Sequence, residues 1–161
     1  MAKAAVKSWI LKSEPDTFGI DHLIALKDKT TLWDGVRNFT ARNNLLAMNI
    51  GDRGYFYHSS CAVPAIVGEM KVIAKAAPDE SAFDPKSPYF DPKSKREKPQ
   101  WYSPRFKFVK KYPIELTREM LAAAGLQDSL LFKSFRLSVI PLTAAEVKII
   151  EKLLATRKRI E

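Results

Sequence analysis

The feature that most constrains this chain is a succession of short strand-like runs, each closed by a turn or a short helix. Arg53 to His58 alternates, so Arg53, Tyr55 and Tyr57 fall on one face and Gly54, Phe56 and His58 on the other. Ala65 to Ile73 reads as a longer strand, with Gly68 marking a bulge or a close backbone approach. Phe106 to Ile114 keeps Phe106, Phe108, Tyr112 and Ile114 on one parity, and Phe135 to Leu142 reads as the last strand. Lys7 to Leu11 opens the series; Lys12-Ser13-Glu14-Pro15-Asp16 breaks it, because Pro15 pushes Glu14 into an extended backbone. Between these runs, Ile20, Leu23, Ile24 and Leu26 outline a short amphipathic helix, and Thr117 caps another that ends before Gly125. Thr143-Ala144-Ala145-Glu146 is a capping box opening a C-terminal helix with the stripe Val147, Ile150, Leu153 and Leu154, and Thr156 to Glu161 reads as a frayed basic tail. No repeat and no domain boundary interrupts the 161 residues. The order predicts one α+β domain over residues 1–161, built on a curled sheet of five or more strands.

Composition narrows the function. No apolar run approaches the ~20 residues of a membrane span, and the N-terminus has no signal-peptide core. Cys61 is the only cysteine, which excludes an intrachain disulfide and fits a reducing compartment. His22 and His58 stand in no zinc spacing, so neither a metal nor a cofactor is expected. The net charge is +9, and its placement says more than its size. From Lys86 to Lys111 nine basic residues face only Asp91 and Glu97, which puts +7 of the +9 into one stripe. A concentrated basic stripe is the footprint of a polyanion binder, most often of nucleic acid.

The densest chemistry lies in Trp33 to Asn44, which holds an indole, a carboxylate, two guanidiniums and several amides. Asp34-Gly35 predicts a turn, and the residues after it predict a helix running through Leu45, Leu46 and Met48. Three further polar clusters sit at strand ends or helix mouths: Lys12 to Pro15, Tyr57 to Ser60, and Arg136 to Val139. A fold that gathers these ends makes one pocket with an aromatic wall, hydroxyls, amides and a carboxylate. A hydrolytic set of Glu14, His58 and Ser59 is the competing reading. Adjacent His58 and Ser59 on a strand point to opposite faces, however, and no nucleophile elbow, phosphate loop or zinc-deaminase signature is present. A base reader needs a flat face and fixed polar groups for the base edge, for which Trp33, Ser13, Glu14 and Asn38 are suited. A protein-interaction module meeting an acidic partner is the third reading.

The order of motifs resembles an EVE domain: Trp9-x-Leu11-Lys12-Ser13-Glu14-Pro15, Trp33-Asp34-Gly35-Val36-Arg37-Asn38, Ala41-Arg42-Asn43, Gly51-Asp52, Tyr57-His58-Ser59, Val67-Gly68, Pro78-Asp79, Trp101-Tyr102 and Arg136-Leu137-Ser138-Val139. The resemblance runs from about Trp9 to Leu154. It implies a PUA-like curled β-barrel of five or six strands flanked by short helices, related to the YTH readers, and a pocket for a flipped, modified base, with modified cytosine the usual proposal. On these motifs the base pocket is expected to draw on Ser13, Glu14, Trp33, Val36, Asn38, Tyr57, His58, Ser59 and Ser138. Phosphate contacts are expected from Lys12, Arg37, Arg42, Arg105, Lys107, Lys110, Lys111 and Arg136. The expected partner is modified DNA or RNA, bound by a monomer without catalysis and without a membrane, in the cytoplasm of a bacterium or the nucleus of a eukaryote. Gly19 stands where the family has a helix-capping serine, and Ser60 where it has an asparagine.

Overall fold

The computed structural model describes residues 5–160, with backbone alone over 157–160. Six strands form one mixed sheet: β1 (Ser8–Ser13), β2 (Thr30–Leu32), β3 (Arg53–His58), β4 (Ala65–Pro78), β5 (Tyr102–Thr117) and β6 (Val139–Pro141). Their spatial order is β2-β5-β4-β3-β1-β6, with β1 and β3 parallel and every other pair antiparallel. Six helices flank it: α1 (Pro15–Phe18), α2 (Ile20–Ala25), α3 (Phe39–Ala47), α4 (Arg118–Leu121), α5 (Leu130–Lys133) and α6 (Ala144–Ile160).

The sheet is curled but not closed, which corrects the barrel expectation. Its edges, β2 and β6, are three residues each and do not pair with one another. The curl comes from the long strands β4 and β5, whose register slips at four places, one of them at Gly68. Each such irregularity bends the strand and strengthens its twist. The run from Phe135 reads shorter in the structure than in the sequence. Phe135 is 70% exposed and outside the ladder, which begins only at Val139.

Both faces of the sheet are buried, and strand alternation divides them. Trp9, Leu11 and Phe56 join Trp33, Val36 and Phe106 beneath α3, which contributes Ala41 and Leu45. Ile10, Tyr55 and Tyr57 join Ile66, Tyr112 and Leu116 on the opposite face, where Ile150 of α6 covers them. Trp9 is a core residue, its indole Nε1 donating to the buried Asp52 carboxylate at 3.1 Å.

The helix starts follow local chemistry. Asn38 Oδ1 accepts from Ala41 N at 2.9 Å, Thr117 Oγ1 from Met120 N at 3.1 Å, and Thr143 exchanges two bonds with Glu146. At α2 the N-cap residue, Gly19, has no side chain to offer. His58 Nε2 accepts from Ile20 N at 3.1 Å instead, and His22 Nδ1 accepts from Gly19 N at 2.8 Å.

Candidate nucleic-acid interface

Strand β1 lies between β3 and β6, so their common ends converge without any long-range loop. Lys12 is the register partner of Tyr57, Lys12 N donates to Ser138 O at 2.9 Å, and Ser59 N donates to Ser13 O at 3.0 Å. Three of the four polar clusters therefore meet through backbone hydrogen bonds. The fourth arrives from β2, where Trp33 N donates to Pro104 O at 2.9 Å.

The convergence makes a front cavity of about 500 Å³, lined by Lys12, Ser13, Glu14, Trp33, Val36 and Ser138 together with Phe18, Asp34, Arg37 and Tyr89. That volume lies within the usual range for a small-ligand pocket. Trp33 belongs to the core and to the cavity at once. It is only 7% exposed and packs edge-to-face against Phe18, Phe56 and Phe106 at centroid distances of 6.3, 5.5 and 5.8 Å. What remains of the indole surface forms part of the cavity wall. The second aromatic is Tyr89, whose ring closes over Gly35. A Cβ at that position would lie 2.8 Å from the ring, and its φ of +79° is left-handed besides.

A buried carboxylate that sequence reasoning left out holds this loop in place. Asp79 Oδ2 accepts from Gly35 N at 2.9 Å and from Arg37 Nη1 at 3.0 Å, and Asp79 Oδ1 accepts from Ser81 N at 2.9 Å and Ser81 Oγ at 2.6 Å. Burial alone would raise the Asp79 carboxyl; the hydrogen bonds from Ser81, Gly35 and Arg37 outweigh it and hold the group below the usual range. Neighbouring Asp34 goes the other way. Burial against the cavity wall, then the Asp79 charge, push it up, although the residue keeps more than a third of its surface in solvent. The cavity thus carries one carboxyl raised above its usual range, placed where a base could offer its exocyclic amine or ring nitrogen.

A side cleft of about 400 Å³ opens next to the cavity and shares Lys12, Ser13, Glu14 and Ser138 with it. Its remaining walls include Tyr57, Ser59, Arg118, Phe135 and Arg136. Tyr57 and Ser59 are therefore in the site but one compartment away from Trp33.

The comparisons bear on the whole of this architecture. The family model described as EVE domain matches residues 7–153. Thymocyte nuclear protein 1 of Danio rerio is 37% identical over 94% of this chain and 73% of its own length; the Homo sapiens protein is 38% identical over 86% and 69%. The chain belongs to the EVE domain family. Among solved structures, a hypothetical protein from Leishmania major superposes with a TM-score of 0.90 at 42% identity, covering 96% of this chain and 98% of that one. Human THYN1 protein, solved in complex with DNA containing 5-methylcytosine, superposes at 0.89 with 36% identity, covering 92% and 97%.

Within this EVE domain several expected ligand contacts have structural employment. His58 lines neither compartment: its Nε2 caps α2, and burial lowers its pKa, in keeping with a neutral acceptor. With that lone pair engaged, His58 is a poor base for Ser59 or Glu14. Asn38 spends its carbonyl oxygen on the α3 cap and borders a separate shallow depression beside Arg136. Arg37, expected on phosphate, has every N–H direction engaged inside. It donates to Tyr89 O from Nε at 2.9 Å and Nη2 at 2.6 Å, to Val36 O and Asp79 from Nη1, and to Ser81 Oγ at 3.3 Å. It staples the Trp33 loop to the long excursion between β4 and β5. Arg42 likewise donates to Gln100 O and to Asn43 Oδ1.

The basic stripe does not form one surface. Lys110 sits 3.6 Å from Glu69, Lys111 2.9 Å from Asp21, and Arg96 3.0 Å from Glu80. Lys110 and Lys111 border a cleft on the α6 side of the sheet, away from Trp33. Arg105 stays near the front cavity, as the register partner of Leu32, and Lys107 is exposed two residues on. Trp101 anchors the excursion: it is 5% exposed, donates to Asp91 Oδ2 at 2.7 Å and stacks on Phe39 at 4.8 Å. Among the described residues no group of three or more His, Cys, Asp or Glu is placed to hold a metal ion, and no helix is long and apolar enough to cross a membrane.

Proposed function

We propose that this EVE domain binds nucleic acid and admits a single modified base, of the modified-cytosine class, into the front cavity between Trp33, Val36 and Tyr89. The observation that carries the reading is that cavity: large enough for a base, aromatic at the wall, with Ser13, Glu14, Asp34 and Ser138 at polar positions around it. The similarity to human THYN1 protein, solved with 5-methylcytosine-containing DNA, supplies the ligand class. An added methyl group is worth only about 0.8 kcal/mol, roughly fourfold in affinity, so stronger discrimination requires shape exclusion or a hydrogen bond to a polar modification. The reading is that of a binding domain acting as a monomer, with no chemical step.

The test is the affinity for a panel of duplex and single-stranded oligonucleotides that differ at one cytosine. The expected result is a preference of at least roughly fourfold for one modified cytosine over the unmodified base. Equal affinity across the panel overturns base reading, and conversion of the modified base, detected by mass spectrometry, overturns the absence of catalysis.

A further inference from the structure

The side cleft holds a set of groups that the base-reading function does not use. Lys12, Arg118 and Arg136 all line it, and among the described residues none of the three lies within ion-pair distance of a carboxylate. Lys12 Nζ donates to the Phe135 carbonyl at 3.1 Å, a neutral partner; what sets the cleft apart is that three cations without carboxylate partners converge on one space. The one carboxylate lining the cleft, Glu14, is exposed and shared with the front cavity. The cations are close enough to act on one another: burial lowers the pKa of Lys12, and Arg118 lowers it further.

A second observation is independent of charge. Tyr57, 1% exposed, lines the same cleft; its hydroxyl is buried beside the Arg118 guanidinium, which can only donate, and its own O–H finds no acceptor among the described residues. Burial raises the phenol pKa, while the adjacent Arg118 opposes the rise, so the group remains a proton donor. A buried hydroxyl without a partner costs roughly 1–3 kcal/mol, which a ligand that accepts from it would relieve. Ser59, Ser60 and Ser138 add hydroxyls around the same space. Unmatched cations, a waiting phenolic donor and several hydroxyls together describe a receptor for a tetrahedral oxyanion.

We propose that the side cleft is an anion-binding compartment that takes one phosphodiester of the strand whose base occupies the front cavity, with Arg118 and Tyr57 as its principal donors. The two compartments share the Lys12–Glu14 wall and Ser138, so a nucleotide can place its base on one side and its phosphate on the other. Arg118 is held for this role from behind, its guanidinium lying 4.5 Å over the Phe132 ring. The inference rests on the base-cavity reading for the identity of the anion, but the oxyanion site itself is testable alone.

The experiment titrates the isotope-labelled full chain with inorganic phosphate against chloride at matched ionic strength, following the Arg118 Nε–H and the Ser59 and Ser138 amides by NMR. A saturable response to phosphate is expected, weakened tenfold or more in Arg118→Gln and less in Arg118→Lys, which keeps the charge and loses the fork. The remainder of each variant's spectrum reports whether it is folded. No saturable response, or one undiminished in folded Arg118→Gln, overturns the proposal. In a second arm, an oligonucleotide with one 5-methylcytosine carries a neutral methylphosphonate at either flanking linkage. One of the two substitutions is expected to weaken the natural protein about tenfold and Arg118→Gln no further; equal losses in both proteins overturn the proposal. Phosphate binding without preference for the methylated base would sink the base-cavity reading alone, and that preference without the Arg118 effect would sink the phosphate compartment alone.

Discussion

Two separate clefts look alike in size and differ in how their charges are spent. The cleft beneath α6 has a volume of about 520 Å³ and is bordered by Arg53, Glu69, Lys110, Lys111 and Glu151. Every one of those groups is matched: Arg53 to Glu69 and Glu151 at 3.4 and 3.1 Å, Lys110 to Glu69, and Lys111 to Asp21. The front cavity and its side cleft hold Lys12, Arg118 and Arg136 without a matched carboxylate among the described residues. The densest run of basic sequence thus feeds in part the neutralised cleft, while the unmatched cations come from three separate segments, two of them polar clusters already apparent in sequence and the third, at Arg118, not. Charge density along a chain locates a polyanion site less well than charge pairing in space does.

The comparison breaks most severely if the front cavity is only a dent in the surface. Its wall is Trp33, whose packing against Phe18, Phe56 and Phe106 makes it part of the core. Trp33→Ala is expected to cost about 3–5 kcal/mol in stability, read by denaturant unfolding. Trp33→Phe keeps more of that packing and should cost less, while reducing the preference for a modified base in the folded protein. A Trp33→Phe variant that retains full selectivity would show that the indole serves the core alone.

Charge neutralisation sharpens the same contrast at smaller magnitude. Lys12→Gln with Arg136→Gln should weaken nucleic-acid binding about tenfold and reduce the slope of log K against log salt by about 0.7–0.9 for each phosphate no longer neutralised. Lys110→Gln with Lys111→Gln should leave that slope unchanged, because both lysines face away and are already paired. Affinity measured at several salt concentrations decides it. A slope that responds to the second pair as strongly as to the first would mean that nucleic acid wraps both faces.

What could be read from the sequence follows the range of the interactions. Local devices were legible: the Thr143–Glu146 capping box, the Thr117 cap, the alternation that sends Tyr55 and Tyr57 to one face and Phe56 to the other; the Asn38 cap was not, its amide reading instead as a base contact. Thr30-Thr31-Leu32 gave no strand signal, since three residues at a sheet edge carry no period, and the structure assigns it by pairing with β5. Positions 78–104 are rich in proline, serine and lysine and read as one long loop, yet β5 begins at Tyr102, and Pro104 gives its carbonyl to Trp33. Arg37 looked like a phosphate ligand because its partners Asp79, Ser81 and Tyr89 are more than forty positions away. Arg118 gave no signal at all, being one arginine at the start of a short helix. Its significance is purely spatial.

The smallest effect is the most discriminating, because it applies one substitution to both clefts. Tyr57 and Tyr112 each bury a hydroxyl whose O–H has no acceptor among the described residues, the first in the side cleft and the second in the matched cleft beneath α6. Burial raises both phenols, and for Tyr112 the Glu69 charge raises it further. Removing an unsatisfied buried hydroxyl relieves a desolvation penalty, so Tyr57→Phe and Tyr112→Phe should both leave the free protein as stable or up to about 1 kcal/mol more stable. Their effects on binding should part. Tyr57→Phe deletes a donor to the phosphodiester and should weaken oligonucleotide binding by roughly threefold to tenfold, the worth of one charge-assisted hydrogen bond of about 1 kcal/mol. Tyr112→Phe should leave it unchanged, since its cleft faces paired charges and no ligand is assigned there. Unfolding and binding measured on the two variants side by side decide the matter. Equal binding in both would leave the Tyr57 hydroxyl without a role in the site, and a loss confined to Tyr112→Phe would reverse the assignment of the two clefts.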